Sequence, residues 1–359
     1  MSARILAARR TAVMPRGRAF HRLGLAEMAA PVIAAVLADA GLGVGAVEEI
    51  VVSNALGGGG NPARLVALAA GLPERVAGLS IDRQCAGGLD SVLIARALVE
   101  SGAAEVVLAG GVESYSRRPL RFRTDPDGGA AVEYDRPPFT PWPDRDPEMH
   151  AAAAVLAERL GISRRAQDAW AVESHRKALA RGRMAEVVPV LGRELDGFTR
   201  GLTEEVAARA APLVGSITAA NAAVAADAAA FVLVVSDRVA RGAGLRIVSG
   251  ATLGARPDEP GMAPVAAMMR ALAAAGPGAL AQVEMMEAYA VQAMACVRAM
   301  GLDPAIVNPG GGALARGHPI GASGAILAVR LFHDLREGRG LAAIASAGGI
   351  GSALVVERV

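Results

Sequence analysis

Aromatic residues make up only 3% of this 359-residue chain. That is too few for the stacking platforms on which single-stranded nucleic acids are held. There are two cysteines, Cys85 and Cys296, which excludes a disulfide framework and a cysteine-based zinc site and fits a reducing compartment. Lysine is nearly missing, with Lys177 the single one among 37 basic residues, and the formal net charge of +2 leaves no basic footprint for nucleic acid. No long apolar run is present. Met1 to Arg18 carries arginines but no apolar core, so no signal peptide is expected. The most apolar stretch, Ile217 to Ser236, is interrupted by Asn221 and Asp227 and reads as a buried loop plus strand rather than a membrane span. The expectation is a cytoplasmic protein without nucleic-acid partner, membrane span or metal.

What is present is a hydrophobic fraction of 53%, much of it alanine, in a chain long enough for two fused domains. Apolar spacing predicts helices over Leu23 to Ala40, Pro62 to Ala70, Cys85 to Glu100, Pro264 to Ala275, Tyr289 to Met300 and Ala322 to Leu335. Strands are expected at Glu49 to Ser53, Leu79 to Ile81, Glu105 to Ala109, Ala229 to Val235, Arg246 to Ser249, Val283 to Met286, Leu341 to Ser346 and Ser352 to Glu357. This alternation argues an α/β fold with helices over a buried sheet. Residues 117 to 147 change character, rich in Arg, Asp and Pro, and read as an insertion. Ser163 is placed to cap a polar helix running to about Met184. The arginines at 117 to 123 and Arg200 read first as solvated surface charge, and second as positive charge that could meet the phosphates of a ligand.

A faint repeat relates the two ends of the chain. Cys85-Ala-Gly-Gly, a helix, and a segment ending in Gly110-Gly111 parallel Gly317-His318-Pro-Ile-Gly, a helix, and a segment ending in Gly348-Gly349. A pseudo-twofold would bring Cys85 and His318 together. A cysteine at a helix N-terminus meets the positive end of the dipole, which favours the thiolate. Gly87 and Gly88 leave room for an acyl group. His318 could hold the thiolate as an ion pair or donate to a carbonyl oxygen. Backbone amides beside Cys85 and in the turn of Gly348, Gly349 and Gly351 could form an oxyanion hole. Cys296 falls in an apolar helical pattern and reads as core. His21, His150, His175 and His333 show no metal spacing and read as surface or local structural residues.

These motifs, with Gly110-Gly111-Val112-Glu113-Ser114, Ile217-Thr218-Ala219-Ala220-Asn221-Ala222, Met286-Glu287-Ala288-Tyr289-Ala290 and the block Gly317-His318-Pro319-Ile320-Gly321-Ala322-Ser323-Gly324, resemble the thiolase family over nearly the whole chain. The resemblance implies two similar layered α/β/α halves related by a pseudo-twofold, with a loop domain inserted in the first. The expected boundaries are 1–116 with about 217–240 for the N-terminal half, 117–216 for the insertion and 241–359 for the C-terminal half. It implies a homodimer or homotetramer, and a coenzyme A thioester as substrate rather than a bound cofactor. It also implies an acyl group carried on Cys85, with His318 assisting. Met286 and the terminal glycines would line the acyl pocket, and Asn221, Ala223 and Ser323 would contact substrate.

Three positions depart from the family. Met286 stands where thiolases commonly carry an Asn that positions a polarising water, a task a thioether cannot perform. Ala345 stands where they carry the second cysteine, the acid/base for the α-carbon. Ala220 to Val224 replaces a Gly-Asn-Ala-Ser-Gly segment that helps hold pantetheine. Two readings compete. One is an acyl-CoA acyltransferase that loads Cys85 and passes the acyl group to an acceptor. The other is a weakly catalytic or non-catalytic thiolase-like subunit that binds acyl-CoA or supports a partner, such as a small acyl-binding protein. A dehydrogenase reading fails, because the glycine-rich segments do not follow a first strand in the dinucleotide pattern.

Overall fold

The computed structural model describes residues 2–358. Nine strands form the continuous path of an eleven-stranded main sheet, to which Met14–Pro15 and Val187–Val188 add short pairings: β1 (Ala3–Thr11), β2 (Glu49–Ser53), β3 (Leu79–Ile81), β4 (Val106–Glu113), β5 (Ala226–Ser236), β6 (Leu245–Gly254), β7 (Leu280–Met285), β8 (Gly338–Ser346) and β9 (Ile350–Arg358). Their order is β7-β8-β9-β6-β1-β5-β4-β2-β3. Read outward from the β6–β1 junction, each half repeats one pattern. The junction itself is thin, with Arg4 opposite Arg246 and Ile5 opposite Leu245.

The larger helices are α1 (Leu25–Ala40), α2 (Pro62–Ala69), α3 (Gly87–Glu100), α4 (Met149–Arg159), α5 (Arg164–Arg181), α6 (Ala263–Ala275), α7 (Ala290–Ala299) and α8 (Ile320–Asp334). Strand alternation shows how they layer. On β5, Ala228, Ala230, Val232 and Val234 join the cluster that holds α3 and α8, while Ala229, Phe231, Leu233 and Val235 face the cluster of α1 and α2. On β8, Ala342 and Ile344 face α3 and α8, while Leu341 and Ala343 face α6 and α7. The result is five layers, with α3 and α8 in the middle, packed between the two half-sheets.

That middle layer explains why α3 and α8 are apolar on nearly all sides. Their crossing is set by glycine. A Cβ on Gly324 would lie 2.3 Å from the Leu89 amide nitrogen, one on Gly88 2.7 Å from Ala325 N, and one on Gly111 of β4 2.0 Å from the Gly321 carbonyl oxygen. The glycines therefore let backbone meet backbone.

The sequence placed most of these elements within a few residues. The strand expected to close at Ala109 instead runs through Gly110 and Gly111 to Glu113. The helix expected from Cys85 begins at Gly87, preceded by a short 3₁₀ turn over Gln84–Ala86. Strand β1 and helix α4 were not anticipated. Ser163 caps α5 as expected, its hydroxyl accepting from Ala166 N, although the helix ends at Arg181. The Arg- and Pro-rich segment is largely exposed, with a small hairpin of Arg121–Arg123 and Val132–Tyr134. The later inserted residues are not peripheral. Val187–Val188 pairs with β1, and Met184, Val187 and Val190 join the α1 cluster. Among the described residues no helix is long and apolar enough to cross a membrane.

Substituting Gly324→Ala forces the α3–α8 contact apart and should cost about 1–3 kcal/mol of stability, with loss of activity. Gly254→Ala, where an added methyl meets nothing within 4 Å, serves as control. Denaturant unfolding midpoints check the difference.

Candidate active site

Cys85 lies in the turn that delivers the chain from β3 into α3. Gln84 before it has φ +48°, a left-handed conformation uncommon for a non-glycine residue. Asp82 holds it there, its Oδ1 accepting from both the Gln84 backbone amide and its Nε2 at 2.9 Å. On the other side, Gly317 takes φ +112°, and the His318 amide donates to the Val224 carbonyl at 2.7 Å. Because α3 and α8 cross at their glycines, the two N-terminal ends converge. His318 Nε2 is 3.2 Å from Cys85 Sγ, and its Nδ1 is 2.7 Å from Ser323 Oγ one turn into α8.

The electrostatics correct the expected thiolate. Burial pushes the Cys85 thiol up to about 12, and the nearby backbone amides of Cys85 and Ala347 only partly oppose it. Burial also drives His318 down to about 4. At neutral pH the resting pair is therefore a thiol and a neutral imidazole. Removal from water outweighs the helix dipole, whose contribution at a terminus is modest.

Glu113, at the end of β4, is buried and ties the site's backbone together. Its carboxylate accepts from Asn54 Nδ2 (2.7 Å), Ala55 N (3.0 Å), Leu56 N (3.2 Å) and Gly321 N (3.0 Å). Burial raises its carboxyl to about 7 against the pull of the Ala55, Gly321 and Leu56 amides. Glu287 ties backbone together in the other half. It accepts from Trp170 Nε1 (3.0 Å), Ser174 Oγ (2.8 Å), Asn308 Nδ2 (2.8 Å) and Leu314 N (3.3 Å), linking α5 to the loop before α7 and to the chain that leads to His318.

A cavity of about 470 Å³ opens over Cys85 and His318. Its apolar wall includes Met149, Leu156, Ala223, Ala288 and Ala345, while Arg16, Arg118, Arg121 and Arg136 contribute positive charge. Of the residues singled out in the sequence, Cys85, His318 and Ala223 meet on this surface. Asn221 is buried beside it and fully engaged: its Oδ1 accepts from Thr218 N at 2.9 Å, and its Nδ2 donates to Asp168 Oδ1 at 2.9 Å and Ser216 O at 3.1 Å. Ser323 contacts His318 and lies off the cavity wall. Met286 sits in the inner core, its amide donating to Ala343 O at 2.9 Å.

Gly348, Gly349 and Gly351 lie in and after the β8–β9 turn rather than on the cavity wall. They allow close approach: a Cβ on Gly349 would lie 2.6 Å from Arg256 O, and one on Gly351 2.1 Å from Ala263 O. The Ala347 amide, one residue earlier, is among the groups that favour negative charge on the sulfur. Cys296 is core, its thiol donating to Gly261 O at 3.3 Å.

Of the arginines at 117 to 123, Arg118 and Arg121 line the cavity rather than standing only as solvated surface charge; His150, expected at the surface or in a local structural role, lines it too. The hydroxyl of Tyr289 meets His150 Nδ1 at 2.9 Å. Tyr289 was within a recognised segment, where attention fell on position 286; nothing in spacing paired it with a residue 139 positions away. Among the described residues no group of three or more His, Cys, Asp or Glu is placed to hold a metal.

A thiol held this high reacts through a small thiolate fraction. Alkylation of Cys85 by iodoacetamide should therefore climb about tenfold per pH unit from about pH 7 to about pH 10, without a plateau. A resting thiolate–imidazolium pair would instead give a flat profile over neutral pH. Mass spectrometric counting of modified Cys85 against pH distinguishes them.

Comparison with known proteins agrees with this architecture. Residues 3–238 match the family model for the thiolase N-terminal domain, and residues 243–358 match that for the thiolase C-terminal domain. The chain is 38% identical over 387 residues to an acetyl-CoA acetyltransferase of Cupriavidus necator, covering 99% of this chain and 98% of that protein. An acetyl-CoA acetyltransferase structure from Bacillus anthracis superposes with TM-score 0.91 at 31% identity, covering 100% of this chain and 99% of that one. The Acat5 thiolase of Ascaris suum, solved in complex with coenzyme A, superposes with TM-score 0.93 at 29% identity over 100% of both chains. With both domain models matched in order across the two halves, the chain belongs to the thiolase family.

Proposed function

We propose that this thiolase-type acyltransferase takes the acyl group of a coenzyme A thioester onto Cys85 as a covalent thioester. The observation that carries this reading is the 3.2 Å contact between Cys85 Sγ and His318 Nε2 at the cavity floor. As sulfur attacks the thioester carbon, its proton moves to His318 Nε2, and His318 then protonates the departing coenzyme A thiolate. Ser323 Oγ at Nδ1 holds the imidazole in orientation and can accept a hydrogen bond from it as positive charge develops. The backbone amides of Cys85 and Ala347, which favour negative charge on the sulfur, stabilise the thiolate when it leaves.

The cavity arginines complement an anionic substrate. Arg118 pairs with Asp135, and Arg136 with Asp146 and Glu148; Arg121 donates to the Ala55 carbonyl, so its charge is not neutralised there. Arg16, which also lines the cavity and makes no ion pair among the described residues, and Arg121 are therefore the natural partners for a phosphate of coenzyme A. The reading is completed by a reducing cytoplasmic setting that keeps Cys85 free, and by a homo-oligomer. Exposed Leu65, Leu68 and Leu79 beside the edge strand β3 are apolar surface suited to such an assembly.

Intact-mass measurement after incubation with acetyl-CoA should show one acetyl adduct, absent from Cys85→Ala. His318→Ala should slow its formation by about 10²–10⁴-fold. No adduct on the wild-type chain would overturn the assignment.

A further inference from the structure

The acylated cysteine is half of a carbon–carbon condensation. The other half needs a group to take a proton from the α-carbon of a second acyl thioester. Neither obvious position supplies it. Ala345, on the cavity wall, carries a methyl, and the neighbouring Ser346 hydroxyl is committed to the Arg83 carbonyl at 3.1 Å. The cavity's other amide side chain near this wall, Gln292, directs its Nε2 to Cys296 Sγ and its Oε1 to the Ala288 amide.

The same cavity carries a paired acid and base. Tyr289 and His150 meet through oxygen and Nδ1 at 2.9 Å, with their rings edge to face at 5.6 Å. Both line the cavity that contains Cys85 and His318. The pair is braced on both sides. Ala222 bridges to Tyr289 in antiparallel register, Ala223 N donates to Ala288 O, and Ala290 N donates to Asn221 O. His150 stands in the first turn of α4, whose Leu156 packs with Tyr289 in one apolar cluster. His150 is exposed on its outer side, so a proton delivered there has a route to solvent.

Resting on the reading that Cys85 is acylated, we propose that Tyr289 with His150 is the acid–base pair of the second half-reaction. The α-carbon–hydrogen bond of a second acyl-CoA breaks, and its proton passes to the Tyr289 oxygen while the phenolic proton passes to His150 Nδ1. The resulting carbanion attacks the acyl carbon on Cys85. A carbon–carbon bond forms, the carbon–sulfur bond breaks, and the sulfur leaves as thiolate. The proton held by His150 returns to Cys85 through solvent, so a 3-oxoacyl-CoA and the free thiol are the products. Tyr289 is the catalytic residue, and His150 acts through it. Burial holds the tyrosine hydroxyl well above its ordinary range, so it is protonated at rest and the relay runs only in concert with His150.

The test separates the two half-reactions. Acetyl-CoA is incubated with enzyme in D₂O, and deuterium entering the methyl group is followed by NMR, with acetoacetyl-CoA formation measured alongside. Tyr289→Phe and His150→Ala should each lose exchange and condensation by about 10²–10⁴-fold while the Cys85 adduct still forms by intact mass. Imidazole added to His150→Ala should restore exchange, an outcome a purely structural role would not produce. Absence of exchange in the wild-type chain, or equal exchange in wild type and both variants, overturns this inference and leaves the acylation reading standing. Absence of the Cys85 adduct overturns acylation instead.

Discussion

The backbone contact between α3 and α8 is the constraint on which the rest depends. Cys85 and His318 are 233 positions apart, and each belongs to a different half. They meet because the two helices beginning beside them cross without intervening side chains, at Gly88, Gly324 and the Gly111–Gly321 approach. Close-packed interiors transmit displacement rather than absorb it. A methyl group at this crossing therefore moves the sulfur relative to the imidazole, even though it is no part of the chemistry.

The same packing sets the charge state of the site. Helix N-termini favour an anionic sulfur, but the middle layer that supplies them also removes water. The balance leaves both partners neutral at rest, the thiol near 12 and the imidazole near 4. Charge separation then accompanies substrate binding and attack, when the amides of Cys85 and Ala347 have a developing charge to meet. Preorganised dipoles in a dry site are most effective at that moment.

The inserted segment does more than cover the site. Arg10 of β1 and Arg330 of α8 are fully buried and are neutralised by Glu186 and Asp196 from the insertion, with Glu284 and Asp334 nearby. Removing one partner would strand a buried charge, a severe cost. This network ties the insertion to both halves, and α4 and α5 extend from the same inserted chain. Its Arg118, Arg121, Met149 and His150 thus become walls of a cavity whose floor belongs to the two half-domains.

The sequence by itself determined the order of most elements, the two-part plan and the Cys85–His318 pair, because each is written in local patterns: apolar periodicity, glycine beside a reactive residue, and a repeat of both. It also showed what is absent at Met286 and Ala345. β1 escaped it because Ala3 to Thr11 mixes arginines into a strand whose Arg10 is buried against distant carboxylates. Tertiary structure alone decided that Gly348, Gly349 and Gly351 lie off the cavity wall, with Gly349 and Gly351 at close backbone approaches. Only the fold could set Arg118 and Arg121 on the cavity wall, Asn221 bonded internally, and Tyr289 against His150. Each depends on contacts between residues far apart in the chain. Burial, which fixed the protonation of Cys85 and His318, is likewise a property of everything packed around them and is written at no single position.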